Sequence, residues 1–305
     1  MVDAAQLDAP LAVAAVALVA TLLYAAYRDL QVREVDDDVW LLAAVAGAAI
    51  GLIPAVGEGG LAVVAWLLVS GLVIEHLVPW DAALAVRRPR WPGFIEIGVY
   101  AAVTLGLVAI GLTGGLGPAG LPIAALATWV SVLVARGLFE VGVLYGGADA
   151  KAVMVAGLLL PLDASPLFGT GGPSAALLAS YPFTLTLLVN AALAAVVVPI
   201  ALAVRNATRG EFRLPQGFTS YRMPVAELPH RFVWVRDPAV PSAEDEAETS
   251  EEDRAIRERL ARELAARGVT SVWVTPQLPF VVFLAAGAIA GILFGNLLFD
   301  LFAVL

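Results

Sequence analysis

Along this chain, apolar blocks with few charges alternate with short polar or glycine-rich breaks. Eight blocks stand out, at 9–27, 40–54, 61–78, 93–115, 120–145, 150–162, 181–204 and 279–302. An α-helix rises about 1.5 Å per residue and takes about 20 residues to cross a bilayer core. Each block is therefore expected to be a transmembrane helix, with the second and sixth the shortest. Glycine and proline punctuate the ends, as in Gly57-Glu58-Gly59-Gly60. The first block is too long for a signal-peptide core and lacks a basic region before it, so it is expected to stay as a helix.

One stretch, 205–271, breaks the pattern, because its density of Arg, Glu, Asp and Pro does not suit a bilayer. Within it, the alternation Arg231-Phe232-Val233-Trp234-Val235-Arg236 predicts a short strand. After an acidic run at 244–253, Ile256, Leu260 and Leu264 recur every fourth residue, which predicts an amphipathic helix over 254–267. The expected fold is thus an all-α polytopic membrane protein of about eight transmembrane helices, with a small mixed domain before the last helix. Its divisions are 1–204 (membrane core), 205–271 (mixed domain, cytoplasmic) and 272–305 (final helix).

Composition agrees with the pattern. The 305 residues are 60% hydrophobic, and the mean hydropathy is +0.86, values that a soluble domain rarely reaches. With no cysteine, disulfides, thiol catalysis and Cys-ligated zinc are excluded. His76 and His230 are the two histidines, too few for a metal cluster of the usual spacing. No metal, no other cofactor and no nucleic-acid partner is expected; the bilayer itself is. The net charge of −9 is carried almost wholly outside the apolar blocks.

The basic residues give the orientation. If the N-terminus lies outside and eight spans alternate, then Arg28, Arg33, the run Arg87-Arg88-Pro89-Arg90, Lys151 and every arginine from Arg205 to Arg267 fall on one side. The opposite loops, around Glu58, around Gly117 and at 163–180, contain no lysine or arginine. That partition is the positive-inside pattern and places the basic side in the cytoplasm, in a cell membrane crossed many times. Arg136 alone is assigned to neither side.

The same partition brings two aspartates to one face. Asp29 ends the first span and Asp149 joins the fifth to the sixth. Two carboxyls at one site can hold a single proton between them, so that one activates water while the other donates to a carbonyl oxygen. The glycines before Asp149 would admit a peptide backbone closely. A plainer reading stands beside this one: aspartate is common at helix ends, Asp149 suits an N-cap, and Arg28 or Lys151 could pair with either carboxylate.

The residues around both aspartates carry a resemblance. Tyr27-Arg28-Asp29-Leu30-Gln31-Val32-Arg33-Glu34-Val35 resembles the segment after the first helix of type IV prepilin peptidases. Gly146-Gly147-Ala148-Asp149-Ala150-Lys151-Ala152 is similar to the second aspartate motif of that GxGD-type intramembrane aspartyl protease family. Val272-Trp273-Val274-Thr275-Pro276-Gln277-Leu278-Pro279-Phe280 looks like the lead into the last helix of the archaeal branch, the preflagellin peptidases.

The resemblance implies an endopeptidase that cuts the short basic leader of prepilin- or preflagellin-like membrane preproteins at the cytoplasmic membrane face. Carried over, it makes Asp29 and Asp149 the catalytic pair, with Gly146, Gly147, Ala148 and Lys151 as binding or shaping residues. The chain departs from the family pattern in three ways. Ala148 stands at the third motif position, where the family has glycine. The interval between the aspartates holds an additional hairpin at 61–115. The cysteine-containing region of the bacterial members, associated with N-methylation, is missing. The alternative class is a membrane transport or scaffold protein whose buried charges are structural.

Other polar residues have plainer uses. Asp36-Asp37-Asp38 reads as an acidic turn opening the second span, ahead of a role in attracting a basic leader. Arg136 and Glu140, four residues apart, are expected to neutralise each other, with a part in orienting Asp149 as the lesser option. Glu75, His76 and Glu96 read as interfacial, and Asn190 and Asn296 as cross-helix hydrogen-bonding residues. Gly287, Gly291 and Gly295, like Gly47 and Gly51, form small-residue ridges for helix packing, with homodimerisation as a lesser use.

Overall fold

The structure is a computed structural model describing residues 9–78, 93–113, 121–144, 146–162, 181–236 and 250–304. The basic run at 87–90, the loop around Gly117, Tyr145, the loop at 163–180 and the acidic stretch 244–249 lie outside the described residues. The described helices are α1 (Ala9–Val32), α2 (Asp37–Glu58), α3 (Gly60–Leu77), α4 (Gly93–Thr113), α5 (Leu121–Glu140), α6 (Gly147–Leu159), α7 (Phe183–Ala195) and α8 (Val197–Thr208), followed after the mixed region by α10 (Phe280–Phe294) and α11 (Leu297–Val304). Strands β1 (Tyr221–Pro224), β2 (Val233–Val235) and β3 (Ser271–Pro276), and the helix α9 (Ser250–Ala266), lie between α8 and α10.

The chain divides into two compact units. The first comprises Met1–Asp29, Val35–Ala192 and Phe280–Leu305, and the second comprises Leu30–Glu34 and Leu193–Pro279. The second unit is therefore wider than 205–271: it takes in the end of α1, all of α8 and the segment up to Pro279.

In the first unit, α6 is the central element and packs against α2, α3, α5 and α10. Nearly all of its residues are buried. Small residues allow the close approach. A Cβ at Gly47 of α2 would lie 3.2 Å from Leu158, and one at Gly157 would collide with Ser131 of α5. Three hydroxyl groups in this packing are satisfied internally, as a medium without water favours. Thr128 donates to the Gly157 carbonyl at 2.8 Å, and the Ser131 and Thr184 hydroxyls share a 2.7 Å bond.

Six helices among the described residues are long and apolar enough to cross a membrane: α1 to α5, and α7 with α8 counted together over Phe183–Thr208. The pair α10 and α11, bent by 46°, makes a seventh if counted as one span. The block at 150–162 folds as α6, whose 13 residues rise only about 20 Å. The second block, short by sequence, extends to 22 residues because Asp37 and Asp38 form its first turn, where the helix dipole favours negative charge.

The break between α10 and α11 falls at Gly295, whose φ of +79° suits glycine. Asn190 of α7 serves both freed backbone groups there: its amide donates to the Gly295 carbonyl at 2.9 Å, and its oxygen accepts from Leu297 N–H at 3.1 Å. Asn296 accepts from Phe299 N–H at 3.2 Å, a local cap of α11, and its amide donates to the Thr186 hydroxyl of α7 at 3.5 Å. Both asparagines thus bond across helices as expected, and the glycine ridge of α10 is filled within the chain, with Gly287 and Gly291 facing α7.

The second unit holds an antiparallel sheet in the order β1-β3-β2, with Tyr221 opposite Val274 and Val233 opposite Pro276. Val272 and Val274 alternate into a small core with Met223, Leu228, Val233 and Leu264. The predicted strand and amphipathic helix are present as β2 and α9. The central strand β3 carries the same alternating β-branched and aromatic signal in Val272-Trp273-Val274-Thr275, a segment that the motif resemblance marks only as the lead into the last helix. Arg33 also belongs to this unit: it donates to the Gln277 carbonyl, and its guanidinium lies 4.7 Å from the Phe232 ring centre.

A Cβ at Gly287 would lie 2.5 Å from the Leu187 carbonyl oxygen and 2.7 Å from Ala191 N. Gly287→Leu is expected to lower stability by about 1–3 kcal/mol through overpacking, whereas Gly71→Leu, which meets nothing within 4 Å, should be near neutral. Thermal unfolding of both variants in one detergent checks the contrast.

Candidate active site

Asp149 sits in the first turn of α6, ahead of the apolar body of that helix and outside the six long spans. Gly146 is the N-cap residue, so the sequence-level suggestion that Asp149 itself caps the helix is off by one turn. Its carboxylate reaches back to the Gly146 backbone N–H, as an acidic side chain three residues into a helix often does. A second backbone N–H comes from Val281, in the first turn of α10, where helix N–H groups have no partner within their own helix. Asp149 is nonetheless only 7% exposed.

These surroundings act in opposite directions. Burial pushes the Asp149 carboxyl up to about 7, from an ordinary 3.8, and the charge of Asp29 pushes the same way. The two backbone N–H groups favour the charged form and offset part of the rise. Asp29 lies in the last turns of α1 and is half-buried. The structure therefore brings Asp29 and Asp149, 120 positions apart by number (149 − 29), within electrostatic reach of each other. One carboxyl is inclined to hold a proton near neutral pH while its neighbour's charge is felt. Such a pair can take a proton from water at one carboxyl and give one from the other.

The flanking residues have separate uses. A Cβ at Gly146 would come within 3.2 Å of Asp149 Oδ2, a tight fit, so glycine there leaves the carboxylate its room. A Cβ at Gly147 would meet nothing within 4 Å, so the space beside that backbone is open. Ala148 packs its methyl group against the helical core, which explains how a side chain is accommodated at that motif position. Lys151 forms an ion pair with Asp37 of α2, and Arg28 pairs with Asp36 at 3.1 Å. Asp37 is thus tied to α6, while Asp36 stays mostly exposed at the N-cap position of α2, in keeping with an acidic turn that opens that helix.

The expected pairing of Arg136 with Glu140 is present at 2.8 Å, and Arg136 also reaches Glu96 of α4 at 3.0 Å. His76 of α3 bonds the Tyr100 hydroxyl of α4 at 2.7 Å. Glu96 and His76 are therefore engaged between helices, where the sequence alone read them as interfacial. The Val281 N–H was also missed; Pro279 before an apolar run was the available signal of a helix start there. Among the described residues no group of three or more His, Asp or Glu is arranged to hold a metal ion.

Between pH values near 4 and 7 the folded protein holds a proton on Asp149 that the unfolded chain has released, so stability falls as pH rises through this window. Asp149→Asn removes that dependence. Its stability relative to the parent should improve from pH 4.5 to pH 8 by on the order of 1 kcal/mol or more, measured by chemical unfolding at both values. An equal difference at the two values would contradict the assignment. No protein-family model matches the chain, and no curated protein matches its sequence.

Proposed function

We propose that this chain is a membrane aspartyl endopeptidase in which Asp29 and Asp149 activate a water between them. The observation that carries the reading is the buried Asp149 carboxyl, raised toward neutrality with the Asp29 charge beside it. One carboxyl in its charged form deprotonates the water, and the protonated one donates to the carbonyl oxygen of the scissile amide, giving a tetrahedral intermediate. The open space beside Gly147 suits an extended substrate backbone. With the motif resemblance, the substrates are prepilin- or preflagellin-like preproteins, cut at the junction of basic leader and hydrophobic segment on the cytoplasmic face.

Chain connectivity supports the topology this requires. Arg33, just past α1, shares the second unit with Phe232 and Gln277, which follow α8. The end of α1 and the end of α8 then lie on one side of the membrane, so an even number of crossings separates them. Counting α2, α3, α4, α5 and the α7–α8 span gives five, and α6 supplies the sixth despite its length. With α1 and the final bent pair the total is eight. The proximity of Asp29 to Asp149 asks for an even count as well, met by α2 to α5.

A transport or scaffold protein is the competing reading, favoured by the polar contacts among Glu96, Tyr100, His76 and Arg136 between α3, α4 and α5. Those residues lie toward the helix ends, which suits a boundary protease better.

Cleavage of a prepilin-like substrate by the membrane-embedded protein decides between them. Asp29→Ala and Asp149→Ala should each reduce cleavage by at least about a thousandfold while accumulating normally in the membrane. Cleavage by the parent should follow a bell-shaped pH profile, whose two limbs report the coupled pair and not either carboxyl alone. Full activity in both variants would refute the mechanism, and a parent inert on several leaders would favour the transport or scaffold class.

A further inference from the structure

The second unit contains a groove of about 500 Å³ that no part of the proposed proteolysis uses. Its floor is the apolar side of α8, formed by Val197, Val198, Ala201 and Leu202. Its rim carries two arginines, Arg205 one turn further along α8 and Arg231 beside β2, together with Glu227. The Arg205 guanidinium stacks 4.2 Å from the Tyr221 ring centre and donates weakly to the Arg222 carbonyl at 3.4 Å. Its Nη1 is out of contact with water and has no hydrogen bond among the described residues. No carboxylate is hydrogen-bonded to this guanidinium among the described residues, and a negatively charged oxygen is the strongest partner for such a charge. Arg231 lies 3.9 Å from Glu227, too far for a strong pair and mostly exposed.

We propose that this groove binds an anionic glycerophospholipid of the leaflet at that face, with its phosphate between Arg205 and Arg231. The acyl chains lie along the valine and alanine floor. The floor is continuous with the outer surface of a membrane span: Val197, Ile200 and Val204 are all more than half exposed on a 26-residue apolar helix. Lipid tails are the natural cover for that surface. The arginines stand where a headgroup would meet them, since basic pockets at helix ends on this side recruit anionic lipids. Glu227 reduces the net charge of the rim to about +1, so the site selects a single phosphate and not a highly charged headgroup. The inference requires α7–α8 to cross a bilayer and is independent of proteolysis.

The full chain would be equilibrated in vesicles of equal phosphatidylglycerol and phosphatidylcholine, extracted, and its retained lipid counted by native mass spectrometry. Phosphatidylglycerol should be enriched, by about fivefold for each arginine engaged. The double variant Arg205→Gln, Arg231→Gln should lose the enrichment. Ala201→Trp, which fills the floor and leaves both charges in place, should reduce retention of phosphatidylglycerol to the level of phosphatidylcholine even if the double variant does not fold. Equal retention of the two lipids by the parent overturns the proposal, as does enrichment that survives Ala201→Trp. Displacement of the lipid by millimolar inorganic phosphate would assign the rim to a soluble anion and overturn it too. Preprotein cleavage measured on the same samples separates failure of this site from failure of the aspartyl reading.

Discussion

The carboxyl group of Asp149 is removed from water by the helices around α6, yet it stands at a helix N-terminus and accepts two backbone N–H bonds. Each of these facts alone would settle its charge state: burial would keep it neutral, and the donors would keep it ionised. Burial is the larger effect and, with Asp29 adding its own negative charge, outweighs the donors, which leaves the group changing state close to neutral pH. Much of the first unit serves that burial. The close packing of α6 on α2, α3, α5 and α10 excludes water, and glycines at 47 and 157 permit it. The bend at Gly295 belongs to the same helix pair whose start supplies the Val281 N–H.

An apolar surround also dictates how every other polar group is treated. Backbone groups freed at the α10–α11 break are met by Asn190 and Asn296. The hairpin α3–α4 is joined to α5 by several polar contacts. Glu96 meets Arg136, and Trp129 donates to the Thr104 hydroxyl at 2.9 Å. Tyr100 stands edge-on to the Trp129 ring. In a low-dielectric setting such pairs are directional, and they fix the rotation of each helix where apolar contacts alone would leave it loose.

The second unit is small, and its stability comes from sheet and helix sharing one apolar face. Its inclusion of Leu30–Glu34 ties the segment after Asp29 to the sheet that follows α8. Arg33 has a positive φ of 61°, an unusual conformation for a non-glycine residue, and its bond to Gln277 and stacking on Phe232 hold it there.

The sequence by itself determined the helices and the two aspartates as candidates, because a bilayer-length apolar run and an isolated charge at its edge are both one-dimensional signals. It also showed the strand at Val233–Val235 and the amphipathic helix at Ser250–Ala266, where alternation and four-residue spacing appear directly in the order of residues. Only the tertiary structure decided that Asp149 accepts from Val281, that Glu96 meets Arg136, and that Lys151 is held by Asp37. These contacts join residues on different helices, and no periodicity within one helix specifies which neighbour it faces. The central place of β3 in the sheet was hidden for the same reason: its pairing with β1 and β2 depends on partners far along the chain. The charge state of Asp149 was beyond the sequence altogether, since it depends on how much water the packed helices leave around one carboxyl group.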